Sequence, residues 1–147
     1  MRNFLFFFSI LLSLPILTSC KTNGEEEKVP LDYVDFIENK LEWKNLFLPA
    51  KPMYFVYIYS NTCGHCRAIK DSVLSWANER RDQFYLTEYS QDIPIIKDTK
   101  NTLGACTYEQ VGILGTPTLL QITDHVLTYN MAGENEILSF LNLTKSG

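Results

Sequence analysis

Stretches of differing hydrophobic period follow one another along this 147-residue chain, and the changes of period mark its elements. Phe4 to Leu17 is apolar almost without interruption. From Leu31 to about Phe47 the apolar residues Val34, Ile37, Leu41 and Leu46 recur at helical spacing, with Asp32 placed near the start, and a helix is predicted there. Pro49 and Pro52 then break the chain, Pro52 falling at the first position of a strand, where proline is tolerated. Met53 to Tyr59 is a charge-free aromatic and β-branched run, which predicts a strand buried on both faces. Helical spacing returns from Gly64 to Arg80, with Ile69, Val73 and Trp76 facing inward. Phe84 to Tyr89 alternates weakly and reads as a second strand. Between Ile93 and Cys106, Pro94 is placed to start a helix and Gly104 to end one. Thr118 to Thr123 and Val126 to Met131 predict two strands around a turn at Asp124-His125, and Gly133 precedes a last helix from Glu134 to Leu143. Strands alternating with helices, followed by a hairpin, predict an α/β fold with a central mixed β-sheet flanked by helices on both faces.

The first apolar run belongs to a different class of segment. Arg2 supplies a minimal positive n-region, Phe4 to Leu17 the apolar core, and small residues follow, which is the layout of a secretory signal. Its end, Leu17-Thr18-Ser19-Cys20, looks like the bacterial lipoprotein signal, in which lipid is attached to the cysteine and cleavage falls just before it. Residues 1–19 are therefore expected to be a leader and Cys20 the lipidation site. Residues 20–30, polar and containing Glu25-Glu26-Glu27, are expected to be a flexible tether, and residues 31–147 one domain. The whole chain carries 13 basic and 17 acidic side chains, net charge −4. That balance excludes nucleic acid as a partner and mainly supports solubility. Lipid at Cys20 would hold the protein to a bacterial membrane, facing outward into the cell envelope.

The chemistry concentrates in Cys63-Gly64-His65-Cys66, at the start of the second predicted helix and directly after the central strand. A dithiol so placed can close to a disulfide and reopen, and a sulfur at a helix N-terminus tends to a lowered pKa. About fifty residues downstream stands Gly115-Thr116-Pro117-Thr118-Leu119-Leu120. Here the chain resembles the thioredoxin superfamily. The segment from Tyr108 to Leu120 looks like that family's cis-proline loop and following strand, and Gly133 with the last helix looks like its C-terminal end. The resemblance covers roughly residues 31 to 143 and implies a thioredoxin fold. With only about 27 residues between Tyr89 and Pro117, it implies the compact form, without an inserted helical domain.

The resemblance implies thiol–disulfide exchange on exported protein thiols or disulfides. Cys63 is the expected nucleophile, Cys66 the resolving thiol, and Pro117, expected cis, with Thr116 the substrate-positioning loop. His65 is expected to support the Cys63 thiolate. Gly-His between the cysteines is the pair of the protein disulfide isomerase branch, which favours an oxidase or isomerase over a reductase fed by a membrane redox partner. Couples with different intervening pairs span roughly 150 mV, so these positions matter.

Two positions depart from the pattern. Tyr57 stands where many relatives bury a carboxylate, and Thr62 replaces a common aromatic residue. Cys106 has no evident partner and reads first as a half-buried thiol packed as a small hydrophobe, the alternative being an extra redox or regulatory thiol open to oxidation. Structural zinc needs four ligands, and Cys106, His65 and His125 offer no second pair at ligand spacing, so no metal or other cofactor is expected. A monomer is expected. The competing reading is a non-catalytic docking protein for a transporter or secreted peptide, which would tolerate replacement of both cysteines by serine.

Overall fold

The computed structural model describes residues 29–145. The expected leader and Cys20 lie outside the described residues, as does most of the expected tether.

Four strands form one sheet in the order β2-β1-β3-β4: β1 Met53–Tyr59, β2 Phe84–Glu88, β3 Thr118–Thr123 and β4 Val126–Ala132. Strand β2 runs parallel to β1, with Phe55 opposite Phe84 and Tyr59 opposite Glu88. Strand β3 is antiparallel to β1 and β4 antiparallel to β3, so the sheet is mixed. Helix α1, Gly64–Asn78, connects the parallel pair, and helix α2, Glu134–Lys145, follows β4. The β3–β4 turn places Asp124 and His125 at φ 50 and 61, the mirror-image geometry that suits a two-residue hairpin.

Successive side chains of β1 point to opposite faces, and the core divides accordingly. Phe55, Tyr57 and Tyr59 pack with Cys66, Ile69, Val73 and Trp76 of α1 and with Ile137 and Leu141 of α2. Trp76 meets Phe55 edge-on at 4.9 Å, and its ring N–H donates to Thr144 Oγ1 at 2.9 Å, joining the two helices. On the opposite face Tyr54, Val56 and Ile58 pack with Trp43, Leu46, Ile93, Val111 and Ile113. Both faces thus carry helical elements, but the second is covered by short 3₁₀ turns and extended chain.

Two predicted helices are corrected. Leu31 to Phe47 is not one helix: 3₁₀ helices occupy Tyr33–Asn39 and Trp43–Asn45. The buried face carries Tyr33, Phe36, Trp43 and Leu46, while Val34 and Ile37 are 71% and 59% exposed. The chain leaves helical geometry because it runs beside β2. The Leu41 N–H donates to Leu86 O at 2.8 Å, and Thr87 Oγ1 donates to Leu41 O at 2.8 Å. Asp32 does cap the first turn, in a reciprocal box with Asp35. The Lys70 ammonium lies 2.9 Å from its carboxylate, tying this segment to α1. Between Ile93 and Cys106 the only helical turn is 3₁₀, at Thr99–Thr102. Pro94 does not start a helix, because its carbonyl accepts the Ile113 N–H at 2.9 Å in a short extended pairing.

Candidate active site

Beyond Tyr59 the chain turns back on itself, the Cys63 N–H donating to Ser60 O at 3.1 Å. This turn delivers Cys63 to the N-cap of α1 with extended backbone (φ −78, ψ 119), and its sulfur accepts the Cys66 N–H at 3.2 Å. A serine or aspartate oxygen usually fills that role. With sulfur there, the unpaired amides and the positive end of the helix dipole converge on the reacting atom.

The Thr116–Pro117 peptide bond is cis, and its loop closes against the dithiol. The Cys63 thiol donates to Thr116 O at 3.2 Å. The loop is fastened twice: Thr118 Oγ1 donates to Gly115 O at 2.7 Å, and the Gly133 N–H donates to Pro117 O at 2.9 Å. Cys63, Cys66 and Thr116 are therefore brought together in one hydrogen-bonded group.

The two thiols are pushed apart in acidity. Burial works against charge on Cys63, but the Cys66 and Thr116 side chains and the amides of Cys66 and His65 outweigh it, and its pKa is lowered. Cys66 is 1% exposed. Burial first, and the adjacent Cys63 second, push its thiol up to about 11. A half-buried sulfur that ionises easily, backed one turn away by a buried thiol that does not, can attack a disulfide and then be displaced from the adduct.

His65 sits in the first turn of α1, but its imidazole hydrogen-bonds neither cysteine and turns instead to α2. Its Nδ1 lies 3.0 Å from Glu134 Oε2, at the start of α2. The Glu134 carboxylate, then the Cys63 sulfur, raise the imidazole pKa. Glu134 was not legible in the sequence as a site residue. The one available signal was an acid directly after Gly133 at a helix start, and it does not point to His65.

Tyr57 occupies the core beside Cys66, where a carboxylate was absent from the sequence. Its hydroxyl and that of Tyr33 are buried as hydrogen-bonding neighbours of each other, and neither makes a well-formed hydrogen bond to another described residue. Burial leads in pushing both phenols far above the ordinary range, so both stay neutral. The buried polar side chains among the described residues are Thr87, Thr102, Thr118 and Asn130, with no acid. Cys106 is not half-buried, as its sequence suggested, but exposed. Its Sγ lies 3.8 Å from Gln110 Oε1, in a loop that gives it no apolar pocket.

A cleft of about 870 Å³ lies elsewhere, lined by Lys40, Trp43, Leu86 and Tyr108 among others and by neither Cys63 nor Cys66. Among the described residues no cluster of three or more His, Cys, Asp or Glu side chains forms a metal site. No described helix is long and apolar enough to cross a membrane.

No protein-family model matches the sequence, and no curated protein matches it. Solved structures do. A chain of the ferredoxin:thioredoxin reductase and thioredoxin f2 complex aligns over 73% of this chain and 94% of its own length, with 15% identity and a TM-score of 0.50. Mitochondrial thioredoxin 3 from Saccharomyces cerevisiae aligns over 73% and 93%, with 18% identity and a TM-score of 0.49. Thioredoxin f2 from Chlamydomonas reinhardtii aligns over 74% and 96%, with 12% identity and a TM-score of 0.46. At 15% identity the likeness to the chain of the reductase complex is one of architecture, and it agrees with the mixed sheet and its helices: the chain has the thioredoxin fold.

Proposed function

We propose that this protein is a thiol–disulfide oxidoreductase, tethered by lipid at Cys20 to the outward face of a bacterial membrane and acting on exported proteins. The observation that carries the exchange reading is the Cys63 sulfur, half-exposed at the cap of α1, accepting the Cys66 N–H and touching the Thr116 carbonyl. In the reducing direction the Cys63 thiolate attacks a substrate disulfide, forming a mixed disulfide and releasing one substrate thiolate. Cys66 then loses its proton and attacks Cys63 Sγ, releasing the second. Two electrons pass to the substrate, and the protein is left with a Cys63–Cys66 disulfide. In the oxidising direction the same steps run backward, and a membrane redox partner would restore the disulfide. His65 between the cysteines supports the oxidase or isomerase direction, because a cation near Cys63 stabilises the dithiol form.

Equilibration of the chain with Cys106→Ser in graded glutathione buffers tests the exchange reading. A reversible two-electron couple is expected, lost in Cys63→Ser, and Cys66→Ser should accumulate mixed disulfides. A chain in which Cys63 and Cys66 form no reversible disulfide, or whose function survives both replacements, is a docking protein instead. Cys20→Ala should move the chain from membrane to soluble fractions; retention at the membrane would refute the anchor.

A further inference from the structure

We propose that Glu134 is a positioning residue for the dithiol: from the first turn of α2 its carboxylate holds the His65 imidazole beside the N-terminal turn of α1, so that α2 sets the reactivity of Cys63. This rests on the exchange reading of Cys63 and Cys66.

The contact joins residues 69 positions apart, and the fold brings them together through the same loop that touches the nucleophile. Gly133 adopts φ +84, which lets the chain pass from β4 into α2 while its N–H donates to Pro117 O at 2.9 Å. On the other side of Glu134, the Ile137 N–H donates to Gly133 O at 3.3 Å and the Ala132 N–H donates to Glu136 Oε2 at 2.9 Å. The backbone flanking Glu134 is therefore fixed relative to Pro117 and, through Thr116, relative to Cys63. The Glu134 side chain is 37% exposed and the His65 side chain 75%, so the acid is the confined partner and the imidazole comes to it.

The charges around His65 explain why such a partner matters. A cation in the first turn of a helix opposes the macrodipole. Of the groups facing it, Cys63 on α1 favours the imidazolium when ionised. Arg67 on the same turn sends its guanidinium away, to Asn61 O at 3.4 Å. The Thr116–Pro117 loop brings no charged side chain. Glu134 on α2 is left as the anion that offsets the dipole. With Nδ1–H engaged by Glu134, the imidazolium keeps Nε2–H as its one other donor. Protonation of the imidazole there makes Cys63 a better leaving thiolate when the mixed disulfide is attacked at the substrate sulfur.

The test uses the full chain with Glu134→Gln, Glu134→Asp and His65→Ala, singly and with Glu134→Gln added to His65→Ala. The His65 ring is titrated by NMR, and alkylation of Cys63 by iodoacetamide is followed across pH with the modified peptide identified by mass. Glu134→Gln should lower the His65 titration midpoint and raise the Cys63 alkylation midpoint. Alkylation below that midpoint should slow about two- to fivefold, the range of a partly exposed ion pair. Glu134→Asp should restore most of the rate, and in the His65→Ala background Glu134→Gln should change nothing. If Glu134→Gln lowers the melting temperature but moves neither midpoint, Glu134 is only a helix-start residue and the proposal is wrong. A Cys63 shift that persists without His65 also overturns it, since the carboxylate would then act directly. The exchange reading fails on another observation, the absence of a reversible disulfide in the unsubstituted chain, whatever Glu134 does.

Discussion

The sulfur of Cys63 does for α1 what an aspartate or serine oxygen does for most helices, and the same amides that cap the helix stabilise the thiolate. Cys66, three residues on, has its amide spent on that cap and its own sulfur in the core. Near neutral pH iodoacetamide should therefore modify Cys63 at least tenfold faster than Cys66, whose thiol is pushed up to about 11. Equal rates, read by peptide mass, would mean the two environments do not differ as described. Tyr57 makes a separate point at this scale. Its hydroxyl is buried with only the Tyr33 hydroxyl as a neighbour and no well-formed hydrogen bond, and leaving a buried polar group unsatisfied costs about 1–3 kcal/mol. Tyr57→Phe should accordingly leave stability unchanged or raise it by about 1 kcal/mol in denaturant unfolding, with exchange rates unaltered. A large loss of exchange rate at full stability would instead give the phenol a part in moving the Cys66 proton.

At the scale of elements, legibility followed the strength of the local signal. Strand β1 was readable because a charge-free aromatic and β-branched run suits a strand buried on both faces, and all its residues after Met53 are buried. The dithiol was readable because a Cys-x-x-Cys directly after a strand falls at a helix start, whereas the Thr116–Pro117 loop was readable only through the resemblance carried by the segment from Tyr108 to Leu120. The segment before β1 misled because Tyr33 and Phe36 share the three-residue spacing of Val34 and Ile37. In a 3₁₀ turn either pair can form the inner face, and the aromatic pair does, with Phe36 edge-on to Phe84 at 5.8 Å. Glu134 was illegible because nothing near it in the chain records His65. Gly133, by contrast, was readable as the joint before α2, and its φ of +84 makes it testable. An added Cβ would meet no atom within 4 Å, so the effect of Gly133→Ala is purely conformational. It should destabilise the protein by about 1–2 kcal/mol in chemical denaturation. No change would mean the backbone at this joint relaxes out of the left-handed region at no cost.

For the molecule as a whole, the two thiols act on stability with opposite signs, and only in the reduced state, since the disulfide removes both. Cys63 has a folded pKa below its ordinary value of 9.0. Its contribution is complete above pH 9 and is lost as pH falls through the lowered value. Cys66 runs from 9.0 to about 11, so its contribution is complete below pH 9 and is lost as pH rises through about 11. The stability of the reduced chain minus that of the oxidised chain should therefore peak near pH 9 and decline on both sides. Tyr33, Tyr57 and His65 titrate in both states, so they cancel in that difference apart from their weaker coupling to the thiols. The measurement is parallel denaturant unfolding of dithiol and disulfide forms between pH 6 and 11, with Cys106→Ser to silence the exposed thiol. A difference that keeps growing as pH falls below 9 would show that Cys63 is not held as a thiolate. Without that thiolate, the folded chain would lack the nucleophile that exchange requires, whichever direction its partners drive it.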